Sequence, residues 1–225
     1  MLDVLYEDNH LLIVNKPAGL LVHGDETGDV PLAEVAREYI REKYNKPGNV
    51  FIGVVHRLDR PVSGVVLLAK TSKALARMNE MFKSKKMQKT YWALVQNRPP
   101  QESQTLVHWL VKDSEKNVTK AFAKENPAGQ RSELSYKMRS HQDEKYLLEV
   151  YPITGRPHQI RVQLASMRCS IIGDLKYGAK QPLPDKSIAL HARQLVFEHP
   201  TLKSEVKVIA PPPKAPIWAP FRALQ

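Results

Sequence analysis

The sequence predicts an α+β fold. Helical and strand-like periodicities are mixed along the chain without the strict alternation of a doubly wound sheet. The 225 residues suit one ordinary domain, and no internal repeat or long linker divides them. Hydrophobic residues make up 42% and charged residues 25%, the balance of a chain that can fold around a core. A single domain over residues 1–225 is therefore expected.

The elements follow in order. Residues 2–7 and 10–14 are short apolar segments on either side of Asp8-Asn9, and they read as a hairpin. Residues 17–24 read as a loop with a little strand. From Pro31, the positions Leu32, Val35, Ala36, Tyr39 and Ile40 recur at helical spacing, and this helix stops before Pro47-Gly48. Val50–Val55 and Gly64–Ala69 are compact apolar runs, read as buried strands. Thr71 or Ser72 caps a second helix with Leu75, Met78, Met81 and Phe82 as its stripe. Tyr91–Val95 is strand-like, and residues 97–104 are a polar loop. Residues 132–139 and 146–151 read as antiparallel strands. Residues 158–167 look helical, 188–198 read as a strand, and the proline-rich tail 210–216 is a covering segment.

No apolar run approaches the ~20 residues of a membrane helix, and no signal peptide opens the chain. The single cysteine, Cys169, excludes an internal disulfide and a Cys-rich zinc site. A reducing cytoplasm is expected. The formal charge is +11 and the pI near 9.7. Such a surface attracts polyanions, so RNA, DNA and anionic membranes are all candidates.

Three clusters carry possible chemistry. In His56-Arg57-Leu58-Asp59-Arg60-Pro61-Val62-Ser63-Gly64, a carboxylate stands among arginines in a short loop between two buried strands. Guanidiniums keep such a carboxylate ionised, fit to be a nucleophile, a base or a metal ligand, or one half of a structural salt bridge. In Thr154-Gly155-Arg156-Pro157-His158-Gln159-Ile160-Arg161, a glycine turn leads into a helix start. That start, with Arg156 and Arg161, suits a phosphate, or Arg161 points inward to a buried acid. Lys83, Lys85, Lys86 and Lys89 precede Tyr91, a basic face suited to a phosphate backbone beside an aromatic that either stacks on a base or packs in the core. His23, His56, His158 and His191 lack the spacing of a zinc helix, and Gly19, Gly24 and Gly28 form neither a Walker nor a Rossmann loop.

Taken together, Asn15-Lys16-Pro17-Ala18-Gly19, His56-Arg57-Leu58-Asp59 with Ser63-Gly64, Lys89-Thr90-Tyr91, Gly155-Arg156-Pro157-His158-Gln159-Ile160-Arg161, Gly173-Asp174 with Tyr177-Gly178, and Leu190-His191-Ala192 resemble the RluA family of RNA pseudouridine synthases. The resemblance runs from about Leu2 to Pro213. It implies a mixed, mainly antiparallel curved sheet with helices around it and a central basic cleft. It also implies isomerisation of uridine in rRNA or tRNA to pseudouridine, with no cofactor and no metal.

Site residues carry over by motif. The resemblance makes Asp59, Tyr91 and Arg161 catalytic. It places Arg57 beside the extruded uridine. His56, Ile160, Lys16, Arg156 and Lys89 join it as substrate-binding residues, Lys16 and the 83–89 lysines holding phosphates. Val62 stands where the family usually has threonine, a change expected to matter little. The first hairpin begins at residue 2, so no S4-type RNA-binding domain is expected before it. Loops 23–31, 97–131 and 178–188 are then expected to choose the RNA, and a monomer is expected. The alternative in a different class is a non-catalytic RNA-binding or RNA-folding module on the same scaffold. A metal-dependent nuclease would need clustered carboxylates, and only one acid sits in the Asp59 motif.

Overall fold

A computed structural model describes residues 2–224 as two compact units. The first comprises the chain up to Gln88 together with Ala192–Pro213. The second comprises Lys89–His191 together with the segment from Lys214 onward. Strands predominate and helices are few, which is an α+β architecture. Among the described residues no helix is long and apolar enough to cross a membrane.

The first unit opens with the expected hairpin, β1 (Val4–Glu7) and β2 (Leu11–Lys16), turned at Asp8-Asn9. The Asp8 carboxylate accepts the backbone N–H groups of His10 and Leu11, both at 2.7 Å, which closes the turn. α1 (Leu32–Lys43) follows Pro31 and buries Leu32, Ala33, Ala36 and Ile40. The apolar run 50–55 yields only a two-residue strand, β3 (Gly53–Val54), because Phe51 faces solvent. β4 (Ser63–Ala69) pairs antiparallel with both β2 and β3. α2 (Ser72–Lys83) is capped by Thr71, whose hydroxyl accepts the Ala74 N–H at 3.1 Å. Residues 17–24 hold no strand.

Every residue of β4 and Leu11–Val14 of β2 is buried. Leu11, Ile13, Val65, Leu67 and Ala69 lie on one face, packed with Ala74 and Met78 of α2. Their alternates Leu12, Val14, Val66 and Leu68 are equally buried, so both faces are covered. That is why these strands read as continuous apolar runs and not as alternations.

The second unit is an antiparallel array in the order β5 (Gln88–Val95), β9 (Lys145–Pro152), β8 (Gln130–Gln142), β6 (Ser103–Asp113), β7 (Val118–Phe122). The segment 97–131, expected as a loop, is mostly the long hairpin of β6 and β7. Its strands were hidden because β6 is half-exposed and carries Ser103, Gln104, Thr105, His108 and Lys112 among its apolar residues. α3 (Gln159–Ser166) packs on β6 and β7 through a small cluster of Leu110, Val162 and Tyr177. The chain then forms β10 (Leu190–Glu198), which crosses from the second unit into the first and pairs there with β11 (Glu205–Ile209), a strand the sequence reading did not anticipate.

Glu7 ties the first unit together. Its carboxylate, 8% exposed, accepts Lys43 Nζ (2.7 Å), Lys70 Nζ (2.8 Å), Tyr39 OH (2.9 Å) and Tyr44 OH (2.7 Å). It thereby joins β1 to α1 and to the exit of β4. Burial pushes this carboxyl upward, but the hydrogen bonds from Lys43, Lys70, Tyr44 and Tyr39 outweigh it and lower the pKa from 4.5 to about 2. The folded value lies below the unfolded one, so the ionised carboxylate stabilises the fold fully above pH 4.5. That contribution is lost as the pH falls toward 2. Glu7→Gln is expected to lose roughly 1–3 kcal/mol at neutral pH, with the gap from wild type narrowing in acid. Urea unfolding at pH 7 and pH 3 checks this, and an equal loss at both values would sink it.

Candidate active site

Asp59 stands on a short, pinned turn. The chain leaves β3 and runs through His56 and Arg57. Leu58 and Val62, both buried, anchor the turn on either side of the partly exposed Asp59. The Val62 N–H donates to the Asp59 carbonyl at 3.0 Å, closing a turn with Arg60-Pro61 at its centre. His56 Nε2 accepts the Leu67 N–H of β4 at 3.1 Å, and its ring stacks on Phe82 at 4.9 Å between centroids. The histidine therefore fastens the approach to Asp59 onto the sheet. Gly64 has φ +116°, and a Cβ there would lie 2.3 Å from the Ala192 carbonyl oxygen. Only glycine permits that approach of β4 to β10, which accounts for the Ser63-Gly64 pair.

Lys16 is the surprise of this region. It lies opposite Gly64 at the end of β2 and is 0% exposed. Its ammonium donates to the carbonyls of Pro17 (2.9 Å), Leu20 (2.8 Å) and Arg60 (3.3 Å). Burial pulls its pKa down to about 7, and the nearby Asp59 charge acts the other way. Three carbonyl acceptors call for three N–H donors, so the geometry is that of the protonated form. The Gly19 N–H also donates to the Arg60 carbonyl at 2.8 Å, and Arg60 Nε returns a bond to the Gly19 carbonyl at 3.0 Å. The Asn-Lys-Pro-Ala-Gly and His-Arg-Leu-Asp motifs are thus two halves of one local structure. The expected phosphate contact by Lys16 is corrected: no polyanion reaches an ammonium fully enclosed by its own backbone.

In the second unit, the 154–161 cluster is built around Gln159. Its Oε1 accepts Thr154 Oγ1 (2.8 Å) and the Arg156 N–H (2.9 Å), while Nε2 donates to the Glu133 carbonyl (3.0 Å). One buried amide therefore fixes the whole loop before α3. Arg161 takes the inward course. Its Nε and Nη2 donate to the two carboxylate oxygens of Asp174 at 2.7 and 2.8 Å, with both side chains buried.

The Arg161 guanidinium carbon lies 5.0 Å from the Tyr177 ring centroid. The Tyr177 hydroxyl accepts the Thr119 N–H (2.8 Å) and meets His158 Nδ1 (2.7 Å). Burial raises its pKa. Asp174, Tyr177 and Thr119 thus set where Arg161 can be. Asp174 and Tyr177 stand in the Gly-Asp and Tyr-Gly pairs after α3, and no local spacing connects them to Arg161.

The remaining residues divide as follows. Arg57 is exposed, and Tyr91 is half-buried on β5 opposite Val150 of β9. Lys89, two residues earlier, brings its amine 3.8 Å from where a Cβ on Gly155 would sit, and burial lowers its pKa. Lys83, Lys85 and Lys86 are exposed, so Lys89 does not share their solvated setting. Ile160 is 7% exposed and offers little surface to a ligand, whereas Arg156 is exposed. Lys16, His56, Arg57 and Asp59 belong to the first unit; Lys89, Tyr91, Arg156, Ile160 and Arg161 belong to the second.

The enclosure of Lys16 generates a prediction. Lys16→Met strands three carbonyls and is expected to cost roughly 3 kcal/mol or more of folding stability. Chemical denaturation checks this, and a variant as stable as wild type would show that the enclosed ammonium does not hold these loops.

Comparison with known proteins bears on this arrangement. Residues 10–166 match the family of RNA pseudouridylate synthases. Among curated relatives, the ribosomal large subunit pseudouridine synthase C of Buchnera aphidicola (subsp. Baizongia pistaciae) is 34% identical over 92% of this chain and 66% of its own length. That of Vibrio cholerae is 33% identical over 92% and 65%. The chain spans about two thirds of the length of these relatives. Among solved structures, human RNA Pseudouridylate Synthase Domain Containing 4 superposes with a TM-score of 0.79 at 26% identity, covering 94% of this chain and 89% of that one. Human RNA Pseudouridylate Synthase Domain Containing 1, at 22% identity and a TM-score of 0.75 over 96% and 86% of the two chains, shares the fold. With a family match that runs through both the Asp59 turn and Arg161, the chain belongs to the RNA pseudouridylate synthase family.

Proposed function

We propose that this protein isomerises uridine to pseudouridine in RNA, with large-subunit ribosomal RNA as the favoured substrate. The observation that carries this reading is the Asp59 turn. A carboxylate sits on a short turn pinned by a buried lysine, a histidine-to-backbone bond and two buried apolar anchors. Such a loop preorganises a reactive group. The names of the curated relatives support the RNA class.

The chemistry follows from these residues. The uridine leaves its stack so that its sugar and base edges become reachable. Arg57, exposed and two residues before Asp59 in sequence, borders the space it leaves. The Asp59 carboxylate attacks C1′ or C6, or removes the C2′ proton, and the N-glycosidic bond breaks. The uracil turns and C5 bonds to C1′; the Asp59–C1′ or Asp59–C6 bond breaks, or the C2′ proton returns, which frees the carboxylate, and the C5 proton leaves while N1 gains one. Tyr91 serves that proton transfer or stacks under the base. Arg161, held in one place by Asp174 and Tyr177, serves as a preorganised guanidinium whose charge Asp174 balances. The two units act as one catalytic domain, a reading supported by the single family match that runs through both. The protein works as a monomer in the cytoplasm and needs no cofactor.

The test is tritium release from 23S rRNA and, separately, tRNA labelled at uridine C5, from cells lacking the protein. Wild type is expected to release tritium from 23S rRNA. Asp59→Asn is expected to abolish release while keeping RNA affinity within a few-fold. A variant that turns over normally would remove Asp59 from the mechanism, and tight RNA binding without release by wild type would favour the non-catalytic module. A second expectation concerns Lys83, Lys85 and Lys86, all exposed. Replacing the three by alanine should lower the slope of log affinity against log salt by about 2–3, at ~0.7–0.9 per phosphate contact. An unchanged slope would take these lysines off the RNA path.

A further inference from the structure

The second unit holds a cleft of about 310 Å³ between the start of β8, the β6–β7 hairpin and the loop before α3, and of its lining only Arg156 has a substrate-binding role suggested above. Its size falls at the lower end of the ~300–1,000 Å³ typical of small-ligand sites. Leu110 and Thr119 form its floor, Pro157 one wall, and Lys112, Gln130 and Arg156 its rim.

The rim has an uncompensated charge. Lys112 donates to the Asn117 side-chain oxygen at 2.6 Å, a neutral partner that leaves its charge intact. Among the described residues the Arg156 guanidinium forms no hydrogen bond or ion pair, although the Arg156 backbone is fixed by Gln159. No acidic side chain lines the cleft. A concave site with two cations, an apolar wall and one amide suits a ligand with an anionic group and a flat polar ring.

The floor also connects to the Arg161 assembly. Thr119 Oγ1 donates to the Pro157 carbonyl at 3.1 Å, and its N–H donates to the Tyr177 hydroxyl at 2.8 Å. Tyr177 in turn packs on Arg161. The cleft is therefore one side chain removed from the contact that sets Arg161.

We propose that this cleft binds one nucleotide of the RNA substrate flanking the reacting uridine. Its phosphate lies between Lys112 and Arg156, its base rests on Pro157, and Gln130 reads the base edge. This site rests on the pseudouridine synthase reading and makes the cleft a determinant of which uridine is chosen.

The test is equilibrium binding of short oligouridylate to the Asp59→Asn protein, with and without Lys112→Ala and Arg156→Ala together. Binding in this background needs no turnover. Loss of the one phosphate contact that Lys112 and Arg156 share should lower the salt slope by about 0.7 and weaken affinity roughly tenfold. The exchange Lys112→Arg with Arg156→Lys should restore the slope, which separates lost charge from lost folding. A benzophenone amino acid in place of Gln130 should crosslink RNA at one position of 23S rRNA. An alanine pair that binds with the wild-type slope and affinity would overturn the proposal. If wild type releases no tritium but the slope still falls, the cleft stands and the isomerase reading fails. If wild type is active and the slope is unchanged, the reverse holds.

Discussion

A lysine ammonium removed from water costs several kcal/mol unless each of its protons finds an acceptor. Lys16 meets that demand with three backbone carbonyls, and the chain has to bend to present them. Pro17 and Leu20 supply two of the carbonyls from the loop after β2. Arg60 supplies the third from the turn that holds Asp59. The buried charge therefore dictates the shape of two loops at once, and the position of Asp59 follows from the requirement that Lys16 be satisfied. Arg161 obeys the same rule in the second unit. There a side-chain acid, Asp174, meets the charge, and Tyr177 covers the guanidinium plane.

Several residues in the sequence motifs are there to build and not to react. Gln159 ties together Thr154, Arg156 and Glu133. His56 ties a loop to the Leu67 amide, and Gly64 lets two strands approach where any side chain would collide with Ala192. Their chemistry is that of closely packed polar scaffolding, in which buried donors and acceptors are tied to named partners.

Local signals made much of this legible in the sequence. The Asp8-Asn9 turn, the Pro31 helix start and the Thr71 cap act within four residues of themselves, and the structure has all three. β4 was legible because both its faces are buried and every residue is correspondingly small or apolar. β6 and β7 were not, since a half-exposed hairpin mixes polar side chains into both registers. The candidate site divides along the same line. Asp59 and Arg161 stand out as charges within recognisable motifs. The burial of Lys16 does not, because a lysine in a turn sequence reads as solvated until the carbonyls around it are seen. The Arg161–Asp174 pair spans 13 residues and two elements, beyond the reach of any periodicity.

The contact between Gly64 and Ala192 bears on how the protein is made. The first unit is discontinuous, drawing β2 and β4 from the early chain and β10 and β11 from after residue 191. On the ribosome β2 and β4 emerge long before β10, and the Gly64 approach cannot form until Ala192 has been synthesised. The Asp59 turn directly precedes that contact in sequence. Its final support is therefore among the last parts of the first unit to close, so a nascent chain carries the Asp59 carboxylate well before it carries a finished frame around it.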